Sequence, residues 1–137
     1  MTKDPEAAGV DLVIRGGTLV TDAWSGPGTV LVSGGRIRDL LDAQAPLPQA
    51  AASARTIDAT GRLVLPGGVD PHCHIAVPVG AYTTRDDYAS STLAALAGGT
   101  TTVIDFAIPL PGESATEAVA ARHAMARHAR CDYALHG

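Results

Sequence analysis

The sequence predicts an α/β protein with a β-rich first part and a βαβαβ second part. Short β-rich runs separated by glycine and proline recur up to about residue 62, two helix start signals follow, and strand-like runs surround both helices. Alternating strands and helices favour a parallel sheet, although two such units leave open whether the sheet is open or closed. We therefore divide the chain into a polar tail at 1–9, a β-rich unit at 10–62 and an alternating unit at 63–137.

The β-rich unit is marked by turn residues at short intervals. The run at 11–21 is interrupted by Gly16 and the glycine that follows it. The runs at 29–32 and 36–40 are separated by a serine and two glycines, a pattern that predicts a β-hairpin. Residues 42–55 show no clear hydrophobic period, so we expect a loop there.

Two helices are expected in the alternating unit, because each follows a capping-box pattern. Residues 84–87 precede a run to Ala97 in which apolar side chains recur at helical spacing. Residues 114–117 precede a second helix that should reach about Arg130. The strand-like runs beside these helices are residues 69–74, 100–106 and 131–136.

Composition and charge argue against several function classes. The net charge is only −4, and Arg122, Arg127 and Arg130 are interpreted as the solvated face and end of a helix, so nucleic-acid binding is not expected. The sequence shows neither a signal-peptide pattern nor the run of about 20 apolar residues that spans a membrane. Cys73 and Cys131 form no disulfide or CxxC pattern, so we expect a cytoplasmic location.

The main chemical signal is Asp70-Pro71-His72-Cys73-His74 at a predicted strand end. Alternate residues of a strand point to the same face, so His72 and His74 could converge on one ion while Cys73 packs on the other side. Zinc binds imidazole nitrogen, and sites of parallel α/β folds lie at the carboxyl ends of strands. Asp70 could orient an imidazole from the second shell of ligands. The spacing alone leaves open a strand that merely contains histidine.

Five stretches of the sequence carry a family resemblance. They are DLVIRGG at 11–17, LPGGVDPHCH at 65–74, DDY at 86–88, AGGTTTVIDF at 97–106 and CDYALH at 131–136. Together they resemble the cyclic amidohydrolases, in particular the branch of dihydropyrimidinases and D-hydantoinases. The first stretch is similar to the N-terminal β-sandwich of that family.

The resemblance implies a partial β-sandwich followed by the first βαβαβ of a (β/α)8 metal-dependent hydrolase barrel, truncated here. In that family two such histidines bind one metal of a binuclear centre, usually zinc, which a carbamylated lysine bridges and two later histidines and an aspartate complete. Metal-bound hydroxide then opens a small cyclic amide or ureide, a dihydropyrimidine or a hydantoin, to an N-carbamoyl amino acid. By this resemblance His72 and His74 are metal ligands, and Val77, Val79 and Tyr82 belong to the substrate loop.

The rest of the implied metal centre has no obvious source in the sequence. The only lysine is Lys3 in the polar tail, so there is no candidate for the bridging lysine. His123 and His128, on the second helix, are expected to face water or pack locally, whereas His136 ends the third strand and could face the site. Asp105 ends the second strand and is interpreted as a residue that orients or hydrogen-bonds a neighbour.

These gaps leave the enzymatic status open. A complete barrel takes roughly 250 residues, so we expect a fragment that is inactive alone. It could derive from a truncated gene, or it could need a second chain or a homo-oligomer to supply the rest of the barrel. The alternative is a non-catalytic assembly or binding protein with at most a partial metal site.

Overall fold

A computed structural model describes residues 9–137, which form two compact units. The first unit extends to Pro66 and the second covers Gly67–Gly137. The sequence places this boundary at 62/63, earlier than the structure does. The difference arises because Leu63–Val64 pairs with the first strand of the first unit.

The first unit is a mixed five-stranded sheet. Its strand order is β3-β2-β1-β4, with β5 also on β1; β1, β2 and β3 are antiparallel neighbours, and β4 and β5 run parallel to β1. The predicted hairpin is confirmed as β2–β3, and the predicted loop contains a 3-10 turn at Gln49–Ala51. The strands are β1 Leu12–Val20, β2 Ser25–Ser33, β3 Arg36–Asp42, β4 Arg55–Asp58 and β5 Leu63–Val64.

The glycine interruption in the first strand is a β-bulge, and the strand continues through it. The register of β1 on β2 shifts between Arg15 and Gly17. Gly16 adopts φ +83°, where a side chain would be strained, and a Cβ there would lie 2.7 Å from the Thr60 hydroxyl oxygen. One strand therefore forms where the sequence pattern shows two short runs.

The second unit contains a parallel sheet with strand order β10-β9-β6. The helices fall between the strands along the chain, as the alternation predicts, and a short antiparallel hairpin, β7–β8, follows the first strand. The elements are β6 Gly68–Cys73, β7 Pro78–Val79, β8 Tyr82–Thr83, α1 Tyr88–Ala97, β9 Thr100–Phe106, α2 Ala115–Ala126 and β10 Asp132–His136. Its buried apolar core is Ile75, Tyr88, Val103 and Ala126.

The first capping box begins at Asp87, later than the sequence pattern suggests. Asp87 accepts the backbone N–H of Ser90, and the Ser90 hydroxyl lies 3.1 Å from the Asp87 backbone N–H, which donates to it. The hydroxyl of Thr84 is used elsewhere, because it accepts the backbone N–H of Val77 across the β7–β8 hairpin. The hydrogen bond from the Ser90 backbone, followed by that from its hydroxyl, lowers the pKa of Asp87.

The second capping box is confirmed at Ser114 and Glu117. The Ser114 hydroxyl accepts the Glu117 N–H. The Glu117 carboxylate accepts the Ser114 hydroxyl and, with a smaller effect, the Ser114 N–H, and both bonds lower the pKa of Glu117. The helix ends at Ala126, before the expected Arg130. The backbone N–H of Arg130 is turned to the Thr92 hydroxyl, so the chain has already left the helix. Within residues 9–137, neither helix has the length and apolar character needed to span a membrane.

Replacing Ser114 by alanine tests the second cap. We expect Ser114→Ala to lower the free energy of unfolding by about 1 kcal/mol, because the Glu117 N–H loses its acceptor. Ser114→Thr keeps a hydroxyl and should lose much less. Urea unfolding followed by far-ultraviolet circular dichroism measures both, and equal losses in the two variants would contradict the capping role.

Candidate metal site

Three histidines and a phenylalanine meet at the carboxyl edge of the parallel sheet. The ring centroids of His72 and His74 are 5.2 Å apart. The Phe106 ring lies 4.5 Å from His72, 5.1 Å from His74 and 4.6 Å from His136, measured between centroids. We call these four residues the histidine cluster. Its members come from three strand ends, which parallel pairing places at one edge.

The spacing of His72 and His74 fits two ligands of one metal ion. Two imidazoles that share a tetrahedral zinc, each with its nitrogen about 2.0–2.1 Å from the metal, have centroids roughly 5 Å apart. Both side chains are exposed, and imidazole nitrogen is a donor that suits zinc. Among residues 9–137, no group of three His, Cys, Asp or Glu side chains is placed to hold an ion. The described residues therefore bring two candidate ligands together and no complete set.

Asp70 contacts the backbone of the histidine segment and not an imidazole. Its Oδ1 accepts the backbone N–H of His72 at 3.1 Å. Pro71 has no N–H to offer β9, and the pairing of β6 with β9 shifts between Asp70 and Cys73. Asp70 thus supports an irregular strand end, which differs from the predicted role of orienting a ring.

His136 joins the cluster, whereas His123 and His128 do not. His136 Nε2 lies 3.0 Å from the carbonyl oxygen of Pro71, so this nitrogen donates to the segment that carries His72. His123 contacts the Tyr133 hydroxyl. His128 lies 3.1 Å from the Arg127 guanidinium and follows the end of α2, so its predicted place on the helix is wrong.

The predicted substrate loop forms the β7–β8 hairpin. Val79 and Tyr82 are paired in this hairpin, and the Tyr82 side chain is 81% exposed. Val77 lines a mostly apolar cavity of about 230 Å³ between the loop and α2. The structure thus separates Val77, which faces α2, from two outward side chains.

Asp105 is a functional candidate whose partners could not be read from the sequence. Its carboxylate has no exposed surface and accepts the Tyr88 hydroxyl at 2.5 Å and the backbone N–H groups of Phe106 at 2.7 Å and Ile75 at 3.4 Å. The Arg122 Nε lies 3.5 Å from its Oδ2. Burial, followed by the hydrogen bond to Asp105, raises the pKa of Tyr88, so this hydroxyl stays a donor.

Arg122 is buried, so its predicted place on a solvated helix face is wrong. The residue is 8% exposed, and its guanidinium donates to the carbonyl oxygens of Ile75 at 2.8 Å and Phe106 at 3.0 Å. The arginine spacing could not distinguish the faces of α2, because the burial of Arg122 depends on Asp105, a partner on strand β9. We call Tyr88, Asp105 and Arg122 the buried polar network.

Together, a parallel sheet whose strands alternate with helices along the chain and a histidine pair at its carboxyl edge define the class as an α/β protein with a candidate metal site at that edge. Comparison with known proteins gives the branch. No protein-family model matches the chain.

The chain is 44% identical to a dihydropyrimidinase from Rattus norvegicus over 126 residues, which are 91% of this chain and 24% of that relative. It is 40% identical to a D-hydantoinase from Streptomyces coelicolor over 125 residues, 90% of this chain and 27% of that relative. The crystal structure of D-hydantoinase from Bacillus sp. AR9 matches with a TM-score of 0.83 and 42% identity, over 92% of this chain and 26% of that structure.

Over most of its own length this chain is therefore similar to dihydropyrimidinases and D-hydantoinases, and the resemblance predicted from its sequence is confirmed. The mixed strand-and-helix fold is confirmed by the same structural match. The chain spans about a quarter of the length of the curated relatives it matches, which is consistent with their N-terminal portion.

Removing the Asp105 carboxylate tests the energetic weight of the buried polar network. We expect Asp105→Ala to lower the free energy of unfolding by about 3–5 kcal/mol, because it leaves the buried Arg122 charge uncompensated. Asp132→Ala removes an exposed carboxylate and is the matched control. Urea unfolding of both variants measures the difference, and a loss from Asp105→Ala no larger than that of the control would contradict the assignment.

Cys73 packs away from the histidine rings, as predicted, and its thiol should react slowly. Its Sγ lies 3.5 Å from the carbonyl oxygen of Ile104, and burial, followed by the negative charge of Asp105, raises its pKa to about 11. At pH 8 roughly one Cys73 thiol in a thousand is then ionised. Because the thiol ionises more readily in the unfolded chain, the free energy of unfolding decreases as the pH rises above about 9.

We expect iodoacetamide to modify Cys73 about 100-fold more slowly at pH 8 than in the same chain unfolded in urea. Mass spectrometry of the Cys131→Ser variant follows Cys73 alone. A native rate equal to the unfolded rate would show that the thiol is neither buried nor shifted.

Proposed function

We propose that this chain is part of a metal-dependent hydrolase that opens cyclic amide C–N bonds, with His72 and His74 as ligands of one divalent metal, zinc. The observation that supports it most directly is the 5.2 Å spacing of two exposed imidazoles at the carboxyl edge of a parallel sheet. The relatives that the chain matches are named dihydropyrimidinase and D-hydantoinase, which favours a dihydropyrimidine or a hydantoin as substrate and an N-carbamoyl amino acid as product.

The proposed architecture has a partial β-sandwich up to Pro66 and the opening of a (β/α)8 barrel from Gly67. The parallel strands β6, β9 and β10 lie side by side in the sheet in the same order as along the chain, as the strands of a barrel do. In the first unit Ile37, Leu63 and Leu65 are exposed, and Ile37 is 68% exposed. Exposed apolar side chains on a sheet are what a second sandwich layer covers in a complete domain.

The residues of this chain would have distinct parts in the reaction. His72 and His74 would hold the metal, which when bound supplies hydroxide at neutral pH for attack on the ring amide carbonyl. Phe106 packs against both imidazoles, limits their rotation and keeps water from one side of them. Val79 and Tyr82 would face the substrate from the loop, whereas Val77 lies against α2. The Cys73 thiol, directed to the core, takes no part as a ligand.

The other ligands and the remaining barrel strands are proposed to come from outside residues 9–137. Two ligands leave the coordination of zinc incomplete, and a bridged pair of metals needs more still. A second chain that carries the missing strands, or a homo-oligomer, would supply them in a cytoplasmic complex. In this proposal the 137 residues alone bind metal weakly and do not turn over substrate.

A non-catalytic assembly role is the second candidate. It is favoured by apolar side chains exposed in both units, among them Ile37, Leu63, Val69 and Leu93. Such side chains on a folded surface indicate contact with further protein. This role needs at most a partial metal site and no turnover, so hydrolysis after addition of a polypeptide with the remaining strands distinguishes the two candidates.

Calorimetric titration of the 137-residue chain with Zn²⁺ tests the proposal. We expect one weak site, and we expect His72→Ala/His74→Ala to weaken it by more than about tenfold, because the variant lacks both imidazoles. His128→Ala removes an exposed histidine outside the cluster and should leave the affinity unchanged.

Hydrolysis of dihydrouracil and hydantoin is assayed in parallel. No turnover is expected from the chain alone, and turnover is expected once a polypeptide with the remaining strands and ligands is added. A zinc affinity that the double variant does not change would overturn the ligand assignment. Turnover by the chain alone would overturn the claim that further ligands are needed.

A further inference from the structure

We propose that the buried polar network of Tyr88, Asp105 and Arg122 is a positioning device that sets the directions of the His72 and His74 rings. The inference rests on the proposed function, since it assigns the network to the same histidine pair. None of its three members belongs to the histidine cluster. Their hydrogen bonds converge on Phe106, which is a member of the cluster, and on Ile75, which follows His74 directly.

The ion pair holds both backbone groups of Ile75 and of Phe106. Asp105 accepts the N–H of Ile75 at 3.4 Å and that of Phe106 at 2.7 Å. Arg122 donates to the carbonyl oxygen of Ile75 at 2.8 Å and to that of Phe106 at 3.0 Å. One carboxylate and one guanidinium thus fix the donor and the acceptor of two chain segments that are 31 positions apart.

Each of these segments directs part of the histidine cluster. Ile75 follows His74 directly, and Phe106 places its ring 4.5 Å from His72 and 5.1 Å from His74. Ala76, the next residue, adopts φ +48°, a left-handed conformation that alanine seldom takes. The chain therefore turns sharply just after the ligand segment, and the bonds to Ile75 hold it at that turn.

Tyr88 connects this device to the first helix. Its hydroxyl donates to Asp105 Oδ2, and its carbonyl oxygen accepts the hydroxyl of Thr92, which has no exposed surface. Removing two charges from water costs free energy that an apolar pair would not cost. In return, the guanidinium fixes the directions of the Ile75 and Phe106 carbonyl groups, because it presents its donors in a rigid planar fork.

Arg122→Lys tests the inference, because it keeps the positive charge and removes the fork. We expect it to remain folded, to bind Zn²⁺ about 10–100-fold more weakly and to shift the NMR resonances of the His72 and His74 rings, which the Phe106 ring influences. Arg127→Lys is the matched control on an exposed arginine and should change neither reading.

Tyr88→Phe is the second variant and removes a single donor from Asp105. It should shift the same histidine resonances and weaken zinc binding by a smaller factor of about threefold to tenfold. Tyr133→Phe, which removes a hydroxyl that contacts His123, is its control. If Arg122→Lys does not fold, the comparison of Tyr88→Phe with Tyr133→Phe tests the positioning role.

Zinc affinity and the histidine NMR resonances distinguish the proposed function from the positioning role. Failure of the unsubstituted chain to bind zinc would overturn the proposed function, whereas the histidine resonances report on positioning without metal. A folded Arg122→Lys with unchanged zinc affinity and unchanged histidine resonances would overturn the positioning role. Shifted resonances in Arg122→Lys and Tyr88→Phe, with none in the controls, would support it.

Discussion

The ion pair between Asp105 and Arg122 is the interaction on which the second unit depends. The ion pair joins the end of β9 to α2. Arg122 also binds Ile75, the residue after His74, and Asp105 binds α1 through the Tyr88 hydroxyl. Apolar packing alone gives these elements contact without fixed direction, because the hydrophobic effect is not directional. Hydrogen bonds to charged groups in a buried place fix both distance and direction.

The placement of the histidines follows from two simple geometric rules. Alternation along β6 separates His72 and His74 from Cys73, whose thiol enters the core. Parallel pairing brings the ends of β9 and β10 to the same edge, so Phe106 and His136 meet the pair there. Pro71 breaks the regular ladder at this point, and Asp70 compensates by accepting the His72 N–H. The site is thus built on an irregular strand end supported by side chains.

The sequence predicted those parts of the fold that depend on neighbouring residues. The hairpin of β2 and β3, the cap at Ser114 and the alternation of strands and helices all have local patterns. The His72 and His74 pair also has one, since side chains two positions apart in an extended segment point to the same side. Arg122 has no such pattern, because its burial is determined by a carboxylate 17 positions earlier. The strand-like run at Leu63–Val64 was assigned to the second unit for a similar reason, since its partner β1 lies far back in the sequence.

The incomplete ligand set and the exposed apolar side chains have one physical explanation under the proposed function. A pair of imidazoles cannot complete the coordination of zinc, and the described residues place no third ligand beside them. Val69 in β6 and Leu93 in α1 are exposed within the unit that carries the pair. Further strands and helices packed on this unit would cover such side chains. In a barrel those same strands end at the carboxyl edge where the histidines lie, so the packing that completes the core also delivers the remaining ligands.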